Sequence, residues 1–354
     1  MASRVNNATL TSRKLHHAQG RDPTKRRHET RDGSNTGLDI TRRKDDSFSR
    51  PEGIRMKTSD IAMTDGGIET FLIFHEGIDL PDFAAFPLLY DETGRDVLRR
   101  YFETFLSIAQ QRGVPFVMGT PTWRANREWG ERLGYSPDAL ARANADAVAF
   151  VREVAASHPA VEIVIEGVLG PRGDGYVVTN RMTVDEAEAY HSEQIASLVD
   201  AGVDRISALT MTYPEEAIGV VRAARALGVP VVPSFTVEVD GSLPDGTSLG
   251  EAIELVDAAT DAAAAYFMVN CAHPTHITHA LVNPSTADRI GALRVNASKR
   301  SHAELDEAEE FDEGDPVALG IDNAALKIML PRVQVLGGCC GTDARHVAEI
   351  IDAW

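Results

Sequence analysis

The sequence predicts a (β/α)8 barrel, the α/β fold in which eight parallel strands alternate with helices. Three observations lead there. From about residue 56, short apolar runs alternate with longer amphipathic ones. Such runs recur over roughly 300 residues, a span the barrel can fill. Residues capable of chemistry recur just after the runs from one end of the chain to the other. A doubly wound open sheet, the alternative, would gather them at one switch point.

In order, Ile61–Thr64 reads as the first strand, and Arg95–Gln111 as a helix with an apolar stripe. Pro115–Met118 is the second strand. Ser136-Pro137-Asp138 then opens a helix over Pro137–Ser157, with a capping hydroxyl, a proline at the first turn and an early acid. Val161–Ile165 is the third strand. Thr183, followed by Asp185 and Glu186, starts Val184–Ala201, where early acids suit the helix dipole. Arg205–Ala208 and Val229–Pro233 flank a helix over Pro214–Leu227, and Leu249–Thr260 follows. Tyr266–Val269, Ala292–Val295 and Val333–Leu336 complete the strands, and Asp343–Ala353 closes the chain as a helix. The acidic stretch Glu304–Asp315 reads as a loop insertion after the seventh strand.

The net charge of −18 over 354 residues conceals two unlike parts. Residues 1–57 carry 14 Lys and Arg against 7 Asp and Glu, leaving 21 against 46 in the remainder. Residues 1–55 have no periodicity, few apolar residues and no apolar core of a secretion signal, so a disordered basic leader is expected. Met56 or Met63, just before the first strand, would serve as a downstream start. The globular domain is expected over 56–354. Its acidic balance argues against a broad nucleic-acid surface, and no run approaches the ~18 apolar residues of a membrane span. Three cysteines, two of them adjacent, make no disulfide framework and favour a reducing, cytoplasmic setting.

All three cysteines follow strand candidates, in Asn270-Cys271-Ala272-His273 and in Gly337-Gly338-Cys339-Cys340-Gly341. Glycines around the vicinal pair allow close backbone approach. A barrel brings the sixth and eighth strand ends to one mouth, so Cys271, Cys339 and Cys340 form a candidate three-sulfur Zn2+ site. Its fourth tetrahedral position is left for a substrate. Zinc there would ionise a thiol that is mostly protonated at neutral pH.

Other residues are candidates for holding the substrate. Asp65, Gly66 and Gly67 follow the first strand, where glycine N–H groups can cradle a carboxylate and Asp65 can accept from an ammonium. Thr122 and Trp123 follow the second strand, and the indole can stack on a sulfonium or ammonium. Glu166 is read as a substrate-orienting group or a hydrogen-bond hub at the mouth. Asn270 stands beside Cys271. Ser234, Thr236, Asn296 and Ser298 offer polar groups at the same face, and His273 reads as a helix-start residue.

The ordered set Asp65-Gly66-Gly67, Gly119-Thr120-Pro121-Thr122, Gly167–Pro171, Ser234-Phe235-Thr236, Asp245-Gly246-Thr247, Asn270-Cys271 and Gly337–Gly341 resembles the homocysteine S-methyltransferase family. The resemblance covers residues 60–350. It implies a TIM barrel, zinc on Cys271, Cys339 and Cys340, and methyl transfer from a small donor such as S-methylmethionine or betaine to homocysteine, giving methionine. It also implies that Asp65 and the following glycines help hold the amino acid. In many members a glutamate near the end of the fourth strand binds the homocysteine amino group, and Leu209 stands there in this chain. That departure leaves open a different thiol or selenol as acceptor. A zinc-dependent lyase or hydrolase and a non-enzymatic zinc- or redox-sensing module are the alternatives from other classes. The partners expected are a small thiol acceptor and a methyl donor, with a homo-oligomer left open.

Overall fold

The computed structural model describes residues 61–281, 284–308 and 310–354. Its strands are β1 (Ala62–Thr64), β2 (Phe116–Gly119), β3 (Ile163–Leu169), β4 (Arg205–Met211), β5 (Val231–Phe235), β6 (Phe267–Asn270), β7 (Ile290–Val295) and β8 (Val335–Gly338). They pair in chain order, all parallel, and β8 returns to β1 to close the barrel. The leader expected over residues 1–55 lies outside the described residues. Among those residues no helix is long and apolar enough to cross a membrane.

The helices are α1 (Ile68–Phe74), α2 (Glu92–Arg112), α3 (Arg127–Arg132), α4 (Pro137–Ala156), α5 (Val184–Asp200), α6 (Pro214–Ala226), α7 (Leu249–Thr260), α8 (Pro274–Ala280), α9 (Pro284–Ala287), α10 (His302–Asp306), α11 (Pro316–Ala325) and α12 (Ala344–Ala353). Their starts follow local chemistry. Asp91 caps α2, Ser136 caps α4, and Thr183 forms a reciprocal capping box with Glu186 at α5. The inner face of α2 buries Leu98, Phe102, Phe105 and Leu106 against the barrel. Each such side chain contributes about 1.5–3 kcal/mol on leaving water.

A second apolar cluster fills the barrel interior: Ala62, Val117, Val168, Leu209, Val232, Tyr266, Met268, Ala292 and Val335. They come from alternate positions on the strands, as the pleat dictates. Charged residues interrupt this core. Glu166 and Arg205 face each other in register on β3 and β4, and Arg205 Nε donates to Glu166 at 2.9 Å. Arg205 Nη1 donates to the Tyr266 hydroxyl at 2.6 Å.

The sequence placed several strand ends too early. Glu166 and Gly167, Ser234 and Phe235, and Gly337 and Gly338 lie inside β3, β5 and β8, not in the loops beyond them. Polar and glycine residues read as loop, but in a barrel they continue the strand because their partners lie inside. The stretch Glu304–Asp315 is also not all loop. Its first residues end α10, which a Ser301–Glu304 capping box starts.

Candidate functional site

The cysteines meet at the C-terminal mouth of the barrel. Cys271 follows β6, and Cys339 and Cys340 follow β8. All three sulfurs lie within 4.8 Å of one another, with Cys271 3.6 Å from Cys340 and 2.6 Å from Cys339. Sulfurs bonded tetrahedrally to zinc at about 2.3 Å stand about 3.8 Å apart. The soft donor set and the 3.6 Å spacing fit zinc, while Cys271 and Cys339 would have to part by about 1.2 Å to hold it. The three thiols also work against one another as bare groups. Hydrogen bonds from Cys339 and then Cys340, aided by Tyr176, hold Cys271 well below the usual thiol range. Its proximity pushes Cys339 up to about 12 and raises Cys340 as well. One negative charge is all the bare cluster readily carries, and a divalent cation removes that limit.

Local structure holds each cysteine in place. Cys271 adopts a left-handed backbone (φ 55°), unusual for a residue with a side chain. Three donors anchor its carbonyl: Asn296 Nδ2 at 3.0 Å, His302 Nε2 at 2.7 Å and Thr236 Oγ1 at 3.3 Å. Asn270 is oriented by Ser234 Oγ and the Thr210 amide, which donate to its Oδ1 at 2.6 and 2.8 Å. Its Nδ2 then reaches toward Cys339 Sγ at 3.8 Å. The Cys339 carbonyl accepts from the Thr342 amide and hydroxyl, tightening the turn.

The Asp65-Gly66-Gly67 turn packs directly on this cysteine turn. A Cβ on Gly67 would lie 2.4 Å from the Cys339 carbonyl oxygen, and one on Gly66 would lie 2.7 Å from that of Thr342. The Gly67 amide donates to Thr342. These glycines bring two backbones together, and the Gly67 N–H expected to cradle a carboxylate is already used. Asp65 is likewise engaged. It accepts from Arg294 Nη2 at 2.6 Å, Thr64 at 2.9 Å and Tyr101 at 3.1 Å. Burial opposes the charge on Arg294, but Asp65, Cys339, Tyr101 and Glu166 together outweigh it and keep the guanidinium cationic.

Three further candidates are already engaged by the chain itself. Glu166 is not at the mouth. It is 1 % exposed inside the barrel, bound to Arg205, with Val168 between it and the open end. The Thr122 hydroxyl is spent on the Val168 carbonyl and Thr120. The cation on Trp123 is the chain's own Arg124, whose guanidinium carbon lies 3.9 Å from the indole centroid. Leu209 sits in the apolar interior and offers no acceptor. His273 caps α8, as its position before Pro274 predicts.

Sequence reading missed Tyr176, His302, Glu69 and Arg124. Tyr176 Oη lies 3.5 Å from both Cys271 Sγ and Cys340 Sγ. Its ring stacks on His302 at 4.0 Å, and His302 Nδ1 meets Glu238 at 3.1 Å. The usable signal was an aromatic in the glycine-rich run Gly173-Asp174-Gly175-Tyr176, beyond the third strand. Glu69, in the first turn of α1, is half-buried, and its carboxyl is pushed up to about 7, chiefly by burial. Burial pulls Arg124 down to about 10.

Residues 62–354 match the family model for homocysteine S-methyltransferase. The chain belongs to the homocysteine S-methyltransferase family. It is a methyltransferase, which sets aside the lyase, hydrolase and sensor readings. Three solved structures of the homocysteine methyltransferase MmuM from Escherichia coli share the family fold. The oxidized form aligns at TM-score 0.67 and 19% identity over 84% of this chain and 97% of that one. The metallated form aligns at 0.64 and 19% over the same shares. The apo form aligns at 0.58 and 18%, over 84% and 96%. No curated protein matches the chain.

Proposed function

We propose that this methyltransferase moves a methyl group from a small sulfonium or betaine-type donor to the sulfur of homocysteine, giving methionine. Family membership supports the reaction class. The observation that carries the reading is the convergence of three sulfurs, from two distant segments, at one barrel mouth. Cys271, Cys339 and Cys340 would hold zinc. When bound, zinc supplies a Lewis acid that favours the thiolate form of an acceptor thiol.

The chain's own residues do the rest. The anchored Cys271 carbonyl and the Asn270–Cys339 contact fix the sulfurs without reorganisation at the moment of reaction. Tyr176, stacked on His302, stands 3.5 Å from two of the sulfurs and would border the space that the acceptor's sulfur enters. On binding, the acceptor loses its thiol proton to solvent. Its sulfur lone pair attacks the donor methyl in line; the new S–C bond forms as the donor's bond to that methyl breaks, and the departing atom keeps the pair. Positioning the two reactants accounts for much of the rate.

The test is direct. Zinc-loaded protein is incubated with homocysteine and, in turn, S-methylmethionine and betaine, and methionine is measured by mass spectrometry. Methionine formation that is lost in Cys339→Ala is the expected result. Full activity in Cys339→Ala, or no thioether from any donor by a zinc-loaded protein, contradicts the reading.

A further inference from the structure

Among the described residues, Arg124 is a buried cation with no counter-charge in contact. Its guanidinium lies between two indoles, 3.9 Å from the Trp123 centroid and 3.8 Å from that of Trp129, and the residue is 6% exposed. Nη1 donates to the Gly173 carbonyl at 3.0 Å, while Nε is buried without a partner. Among the described residues it forms no ion pair; Asp174, Glu69 and Asp82 act on it only from farther away. A desolvated charge left without a counter-charge is costly. A guanidinium kept in this state is suited to a partner that arrives and leaves.

Glu69 is its counterpart. It stands in the first turn of α1, and that turn is fastened to the cysteine turn: the Gly341 amide donates to Thr70 Oγ1 at 3.1 Å. The Glu69 carboxylate meets its own backbone amide and forms no ion pair among the described residues. Cys339, Asp65 and Arg294 all lie within its electrostatic reach, and so does Arg124. Tyr176 links the two ends. It touches two of the sulfurs, acts electrostatically on Arg124, and rides on the loop whose Gly173 carbonyl Arg124 holds. One neighbourhood thus holds a thiol-binding cluster, a carboxyl group and a guanidinium, neither of the last two in an ion pair among the described residues.

We propose that Glu69 and Arg124 together grip a zwitterionic acceptor, Glu69 taking the ammonium and Arg124 the carboxylate of an α-amino-acid thiol whose sulfur goes to the cysteines. This rests on the thiol-methylation reading and names the groups that select the acceptor. It also accounts for Leu209, because the ammonium is met from α1 instead of from β4. Arginine suits the other end, since its planar fork matches a carboxylate. The competing role for Arg124 is a brace for the Gly173–Tyr176 loop, which would be indifferent to the ligand's charges.

Binding calorimetry on the full chain in zinc-containing buffer separates the two. The ligands are homocysteine, 3-aminopropane-1-thiol, which lacks the carboxylate, and 4-sulfanylbutanoate, which lacks the ammonium. The wild type is expected to bind homocysteine about ten- to hundredfold more tightly than either fragment. Arg124→Gln should lose about that factor for homocysteine and 4-sulfanylbutanoate and none for the aminothiol. Arg124→Lys should recover part of the loss. Glu69→Gln should weaken homocysteine and the aminothiol and spare 4-sulfanylbutanoate. Equal wild-type affinity for all three ligands, no homocysteine binding, or variants that weaken every thiol alike or none at all would each overturn the proposal. If Arg124→Gln does not fold, the half-buried Glu69 arm decides alone. No methyl donor is present, so failed turnover refutes the proposed reaction without altering this charge pattern.

Discussion

The phenol oxygen of Tyr176 donates toward the sulfur of Cys271 at 3.5 Å, from a loop that belongs to neither cysteine segment. It lies equally far from Cys340, so in the proposed reaction it borders the face of the cluster that an acceptor's sulfur would approach. Removing the hydroxyl removes one net hydrogen bond from the closed arrangement. Tyr176→Phe is expected to tighten acceptor binding about two- to tenfold. Acceptor titration of the zinc-loaded variant checks this; weaker binding would mean that the phenol contributes to holding the acceptor.

Gly67 is predicted to matter through space, not flexibility. In Gly67→Ala the new carbon meets the Cys339 carbonyl, and neither backbone can yield without moving a sulfur. A loss of about 1–3 kcal/mol in stability is expected, the usual effect of overpacking. Zinc content should fall with it. Denaturant titration and metal analysis of the purified variant test both parts.

How much of this was legible in the sequence follows from what each residue touches. The strands, most helices and the meeting of the cysteines could be read, because apolar periodicity and strand-end position are local signals that a closed barrel converts into proximity. The roles of Glu166, Thr122 and Trp123 could not. Glu166 and Thr122 depend on partners far along the chain, Arg205 across one strand pair and the Val168 carbonyl, while Trp123 is covered by the adjacent Arg124, whose direction is set by Trp129. Tyr176 carried only a weak signal, an aromatic in a glycine-rich run, because its contact with the sulfurs joins segments far apart in the chain. Strand ends were misjudged wherever a polar residue faces the interior.

Glu166→Gln separates a stability role from a substrate role. The change leaves the buried Arg205 charge without its carboxylate, a loss worth about 3–5 kcal/mol. The acceptor KM of the folded variant should be unchanged, because Glu166 lies below the mouth. Urea unfolding and steady-state kinetics on one preparation decide; an intact stability with a raised KM would return Glu166 to the substrate.

Acid sensitivity is predicted at Glu216, buried against His191 at 3.0 Å. Burial opposes its ionisation, but His191, the Arg172 amide and Tyr213 outweigh it and hold the carboxyl below the usual range. A carboxyl with a lowered folded pKa stabilises fully above its unfolded value, about 4.3, and loses that contribution as pH falls through the folded one. Glu216→Gln should therefore be weaker at neutral pH and lose stability less steeply below about pH 4. Unfolding free energies measured from pH 7 down to pH 3 give the comparison; parallel curves would refute it.

X-ray absorption at the zinc edge, recorded on zinc-loaded protein with and without homocysteine, tests the central claim most directly. Three sulfurs at about 2.3 Å with one lighter ligand, becoming four sulfurs when homocysteine is added, is the result expected. Fewer than three sulfurs in its absence, or a shell that homocysteine leaves unchanged, would contradict the account.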